Sequence, residues 1–192
     1  MKIKKLISAL VLGSMLVGLS GCNITDFSAE NLLRPPKAVG DEAEIEQLIA
    51  KTADSGYTLK YPKNGKFRSA IIMTDLDGND SNEAVAFFRN SAETSSVHML
   101  VMYSKDNSWK IASDNIFETT DIDSVDFADL TGNGKAEIIV NSTTYTPNVG
   151  KLSCYSYTEG KTNEVGSGQS CSSFVTGDFD NDGTSEIMSL VL

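Results

Sequence analysis

An all-β body is what this sequence predicts, and three observations predict it. From about residue 57 onward apolar residues alternate with period two, β-branched and aromatic residues fill those runs, and one short acidic segment recurs three times, each time just ahead of a strand-like run. The runs fall at residues 67–74, 83–89, 97–104, 109–113, 124–129, 136–142, 152–158, 164–166, 173–178 and 185–192. The recurring segments are DLDGNDSNE at 75–83, DLTGNGKAE at 129–137 and DFDNDGTSE at 178–186, with starts 54 and 49 residues apart. Four short strands in a period of that length is the pattern of a β-propeller blade, so residues 66–192 read as about two and a half four-stranded blades, an incomplete propeller. The third blade holds only two strands, and the apolar run 187–192 would leave an unpaired edge. That edge implies either a chain that continues or self-association of two copies.

Ahead of this body the sequence is organised differently. Residues 1–21 open with Lys2, Lys4 and Lys5, continue as an apolar run from 6 to 19 and close on small residues before Cys22, the pattern of an export signal. The run is too short for an ordinary membrane span, which needs about 20 apolar residues. Leu19-Ser20-Gly21-Cys22 resembles the bacterial lipobox, which implies that the Cys22 thiol receives a diacylglycerol and begins the mature chain, leaving the protein extracytoplasmic and lipid-anchored to the cell membrane. Residues 22–40, with Pro35-Pro36, Gly40 and no period, read as a flexible tether. Residues 41–65 read as one short helix and a lead-in: Asp41-Glu42 suits a helix start, Ile45, Leu48 and Ile49 recur at helical spacing, and Gly56 ends the run.

Charge narrows the partners. The chain has 16 basic and 26 acidic residues; residues 1–21 hold three lysines and no acid, so the remainder carries 13 basic against 26 acidic, or −13. Nucleic acid binding needs Lys and Arg to neutralise phosphates, and such a chain excludes it. An acidic body suits cations instead.

The repeated segment says which cation. Oxygen-bearing side chains stand at its first, third, fifth and ninth positions, and a tight loop with that alternation suits calcium, which takes six to eight oxygens at about 2.3–2.6 Å. An EF-hand would put its last Glu at the twelfth position between helices, so that reading fails. These segments resemble the FG-GAP and VCBS repeats of integrin-like β-propellers, whose blades carry a D-x-D-x-D-G-x-x-E/D calcium loop. Carried across, the resemblance implies calcium ligands Asp75, Asp77, Asn79 and Glu83 in the first loop, Asp129, Thr131, Asn133 and Glu137 in the second, and Asp178, Asp180, Asp182 and Glu186 in the third. Backbone carbonyls of Ser81, Lys135 and Thr184 would complete the sets. Two departures matter: Thr131 stands where an aspartate is usual, leaving the second loop only two carboxylates, and Asp80 stands where glycine is usual. Ligand charge therefore ranks the third loop first and the second last.

The two cysteines other than Cys22 are Cys154 and Cys171, and blade order places both near the rim opposite the calcium loops, so a disulfide between them is expected in an oxidising compartment. Catalysis finds no support: the single histidine, His98, lies inside an alternating run, no Ser or Cys has an activating partner, and Trp109 reads as packing. The chain is thus read as a non-enzymatic calcium-binding module for binding or adhesion to a protein or glycan at the cell surface. The alternative is the non-catalytic N-terminal part of a longer secreted carbohydrate-active enzyme.

Overall fold

Three acidic residues in the first turn of α1 (Asp41–Ala53), namely Asp41, Glu42 and Glu44, meet the positive end of the helix dipole, and Lys51 meets the other end. The computed structural model describes residues 40–54, 56–146 and 148–192. The export signal, Cys22 and the tether up to residue 39 lie outside the described residues. Gly40, at φ 64°, leads into α1; Ile45, Ile49 and Ala53 form its buried stripe at spacings of four.

The rest is antiparallel β-structure, in sheets none of which is closed. The first sheet contains β1 (Tyr57–Leu59), β2 (Ile71–Thr74), β3 (Glu83–Asn90), β4 (Val97–Lys105) and β5 (Ser108–Phe117), with β1 and β2 end to end along the same side of β3. The second runs in sequence order through β6 (Ile122–Ala128), β7 (Glu137–Thr143), β8 (Gly150–Thr158) and β9 (Lys161–Cys171). The hairpin β10 (Ser173–Gly177) and β11 (Glu186–Leu190) stands by itself. The expected helix is present and every expected β-rich run contains a strand, the first only over 71–74; β1 was not expected, and β5 and β9 run well beyond their expected lengths.

The sheets stack face to face because β3 and β7 are apolar on both sides. Val85 and Phe87 of β3, with Val97, Met99 and Val101 of β4, meet Ile138 and Val140 of β7 and Tyr155 and Tyr157 of β8 in the main core. The opposite face of the first sheet, through Ala84, Ala86, Phe88, Leu100 and Met102, is covered by α1. Glu44 adds a polar tie, its carboxylate accepting the Trp109 backbone N–H at 3.1 Å. On the far face of the second sheet, Ile139 and Leu152 pack against Phe174 and Ile187 of the hairpin. The outer face of the hairpin is bare, with Val175, Met188 and Leu190 more than half exposed. Between β1 and β2 the lead-in crosses to the second sheet: the backbone N–H groups of Lys63 and Asn64 donate to the carbonyls of Ile122 and Asp123 at 3.2 and 2.7 Å, and Lys60 and Lys63 both pair with Asp121.

The expected Cys154–Cys171 disulfide is not formed; both cysteines are free. Register explains it. Cys171 sits opposite Gly150 at the start of β8, whereas Cys154 lies mid-strand opposite Gly166. Four residues of extended chain separate the two positions, about 13 Å at about 3.3 Å per residue, well outside bridging reach. Burial pushes both thiols up, with the charges of Glu137 and Asp123 adding to the effect at Cys154 and Cys171 respectively.

Candidate metal centre

Each acidic segment forms the turn of a hairpin: 75–83 joins β2 to β3, 129–137 joins β6 to β7, and 178–186 joins β10 to β11. The turn has one shape in all three. Its fourth position is left-handed at Gly78 (φ 74°), Gly132 (71°) and Asn181 (63°), and so is its sixth at Asp80 (64°), Gly134 (78°) and Gly183 (92°). Asp80 therefore occupies the very position where the sequence pattern asks for glycine, and it adopts the backbone that glycine would.

One hydrogen-bond scheme holds each loop. The first-position carboxylate accepts backbone N–H groups from across the turn: Gly78, Asn79 and Asp80 reach Asp75 at 2.8–3.3 Å, Thr131, Gly132, Asn133 and Gly134 reach Asp129 at 2.7–3.2 Å, and Asp182 and Gly183 reach Asp178 at 3.1 and 2.9 Å. Asn79, Asn133 and Asp182 each accept from the residue two further on, Ser81, Lys135 and Thr184, at 2.7–2.8 Å. The ninth-position glutamates fold back: Glu83, Glu137 and Glu186 accept the N–H of Leu76, Leu130 and Phe179, each at 2.8 Å. Oδ2 of each first-position aspartate accepts only one of these backbone bonds, so it keeps capacity for a cation.

The loops run side by side along one rim of the stack. Ala136 of the second donates its N–H to the Leu76 carbonyl of the first at 3.0 Å, and Ser185 of the third donates to the Asp129 carbonyl of the second at 2.8 Å. The approach at Gly78 is close enough that a Cβ there would lie 2.6 Å from the Gly134 carbonyl oxygen.

In the third loop Asp178, Asp180, Asp182 and Glu186 can each offer an oxygen within 4.8 Å of the others, and in the first Asp75, Asp77 and Glu83 can do the same. The second loop has only Asp129 and Glu137 as acids, supplemented by the Thr131 hydroxyl and the Asn133 amide. The two acid-rich loops differ in setting. The third is exposed, while Glu83 in the first is only 3% exposed and Oδ1 of Asp77 is buried with no hydrogen-bond partner. An anionic oxygen buried without a partner is what a bound cation relieves, so the first loop's donor set fits a hard dication.

Neither family models, nor curated proteins, nor solved structures give a match to this chain. The charges at these loops therefore speak for themselves. Burial is the main reason the Glu83 carboxyl lies above the usual carboxylate range, and the negative charges of Asp77 and Asp75 push it the same way. At Asp75 and Asp129 partial desolvation opposes ionisation, but the converging backbone N–H groups together outweigh it and hold both carboxyls below that range. Tyr157, buried at the floor of a cleft of about 500 Å³ beside the first loop, is pushed up to about 12 by burial and then by Glu83 and Asp77.

Of the residues set aside as structural, His98 is buried between Asp114 (2.9 Å) and Glu93 (3.2 Å) and stacks on Phe88, and Trp109 packs beneath α1. Sequence reasoning missed Tyr157 and Tyr103, which line the cleft beside the first loop from β8 and β4; period-two alternation marks both as strand residues and nothing more.

Proposed function

We propose that this chain is a lipid-anchored, extracytoplasmic calcium-binding module of incomplete β-propeller type, related to the FG-GAP and VCBS repeats, that binds or adheres to a protein or glycan at a bacterial surface. What carries the reading is the first loop: Asp75, Asp77 and Glu83 converge within 4.8 Å, and Asp77 keeps one buried oxygen without a partner. Repetition of the same turn, with the same hydrogen bonds, at 129–137 and 178–186 supports it. Calcium would supply positive charge among acids that otherwise repel one another, and its role here is to hold the loops, not to react.

This chain's residues divide the work. Asp75, Asp129 and Asp178 gather the backbone of each turn; Asp77, Asp180, Asp182 and the ninth-position glutamates provide the charge. Since each glutamate opens the second strand of its hairpin, a filled loop would clamp two strands together. The second loop, with two acids, would hold calcium least well. Calorimetric titration of the full chain in detergent with calcium tests the reading. Binding of about two equivalents together with a higher melting temperature is expected. No heat of binding and an unchanged melting temperature would overturn it.

A further inference from the structure

The rim opposite the acidic loops is formed by the connections β3–β4 and β7–β8. Beside the second lies a cleft of about 540 Å³, lined by Lys63 and Asp123 together with neutral groups such as Asn141 and Thr143. The first, residues 91–96, is exposed from Ser91 to Ser95 and leans on a buried imidazole. His98, the single histidine of the chain, is 5% exposed on β4, opposite Phe88 of β3 and Ile116 of β5. Its Nδ1 lies 2.9 and 3.0 Å from the two carboxylate oxygens of Asp114 on β5, and its Nε2 lies 3.2 Å from Oε2 of Glu93 in the turn. Among the described residues Glu93 and Asp114 are the charged groups that bond to the ring; β3 presents Phe88, stacked on it at 4.8 Å, and no hydrogen bond or ion pair joins it to α1.

Both ring nitrogens therefore face a carboxylate. A neutral imidazole has one N–H and one lone pair, so it can donate to only one of the two and turns its lone pair toward the other. The imidazolium donates from both nitrogens and sets one positive charge between two negative ones, so the geometry matches the protonated ring. Once that proton is lost, one carboxylate has no donor. Asp114 belongs to a strand paired along β4 and reaches the ring with both oxygens, whereas Glu93 stands on the turn, makes the single longer contact and has a side chain 45% exposed, where water can replace the ring. Glu93 is the one that leaves. Its carboxylate also accepts the Ser96 hydroxyl, so the contact gathers both halves of the turn. Behind it the turn is closed by three bonds: the N–H groups of Ser91, Ala92 and Glu93 donate to the Gly56 carbonyl at 2.9 Å, Asn90 Oδ1 at 3.0 Å and the Asn90 carbonyl at 3.0 Å.

We propose that His98 is a proton-operated latch: as imidazolium it ties Glu93, and with it the turn 91–96, to Asp114 on β5, and loss of the proton frees the turn. The sign follows from linkage. A positive ring that gains partners on folding stabilises the closed turn at low pH, and that stabilisation is lost as pH rises through the titration of the ring. The latch stands apart from the calcium reading, because the acidic loop of this sheet lies at the other end of β3, which begins at Glu83 and ends at Asn90.

The test follows the full chain in detergent from about pH 5 to 8 with two readouts. Imidazole proton resonances report the state of the ring, and with one histidine in the chain they belong to His98. Hydrogen exchange of the 91–93 amides, with the intrinsic exchange rate at each pH divided out, reports the turn. As the ring loses its proton, protection of those amides is expected to fall about tenfold, the worth of one charge-assisted hydrogen bond, with the same midpoint as the ring. In Glu93→Gln, a change at an exposed side chain, the ring should still titrate while protection stays low and flat. A ring that keeps one protonation state throughout the range, protection that does not change as the ring titrates, or the same fall in Glu93→Gln as in the parent would overturn the proposal.

Discussion

Replacing Asp77 with Asn should move stability in opposite directions with and without calcium. In chelator, Asp77 carries a charge with one oxygen buried and unpaired, and that charge helps push Glu83 up. Asn keeps the shape and removes the charge, and with it the repulsion on Glu83, which should stabilise the metal-free protein by about 1 kcal/mol, the size of one like-charge contact at about 4 Å in water. For a body of this size that raises the melting temperature by about 2–4 °C. With calcium at about a hundred times its Kd, a filled site contributes about 2.7 kcal/mol. A variant that loses the first site but keeps the 1 kcal/mol gain is then about 1.7 kcal/mol less stable than the parent, about 3–7 °C in melting temperature. Differential scanning calorimetry of both proteins in chelator and in calcium reads the crossover directly. If Asp77→Asn lowers the melting temperature equally in both conditions, the side chain only shapes a turn and the reasoning fails.

Other outcomes follow from the geometry. Ile138→Ala, in the core between the two sheets, should lower stability by about 2–5 kcal/mol, read as a lower denaturation midpoint with unchanged slope. Gly78→Ala, where φ is 74° and a Cβ would lie 2.6 Å from the Gly134 carbonyl oxygen, should lose about 1–3 kcal/mol in the same assay. The Asp121 carboxyl is held low: burial opposes its ionisation, but Lys60 and Lys63 outweigh that, so its contribution is present above the unfolded value of 3.8 and is lost as pH falls through the folded one. Asp121→Asn should accordingly flatten the acid limb of a stability–pH curve, and an unchanged limb would show the pair to be idle. A non-reduced digest should contain no Cys154–Cys171 linked peptide, and alkylation of both thiols should be slow until denaturant is added.

What could be read from the sequence was what is local. The turn at 75–83 is closed by bonds within nine residues, so side-chain spacing alone discloses it, and the same holds for the stripe Ile45, Ile49, Ala53 of α1. β1 escaped because three residues carry no period. β9 was reduced to a fragment because Asn163, Gly166, Gly168, Gln169 and Ser170 have little strand propensity; its ladder is supplied by β8, with two shifts of register. Those shifts, and the place of Cys154 in the middle of its strand, decide the fate of the thiols, and neither is written in cysteine spacing. The cleft at the opposite rim was invisible for the same reason, since it gathers residues from Lys63 to Leu192 that meet only once the strands are paired.

The two ends of the stack are unlike, and this gives the assembly a direction. At one end α1 lies across the first sheet and turns Asp41, Glu42, Gln47 and Lys51 outward, a polar surface on which no sheet face would settle. At the other end the hairpin presents Val175, Met188 and Leu190. Any further layer, whether from this polypeptide or another, can be added only beyond the hairpin. A ring that returned to the first sheet would have to evict α1 and strip Ile45 and Ile49 from Ala84, Ala86 and Phe88. The helix therefore behaves as a stop, making β-layer growth a one-way process that leads away from α1.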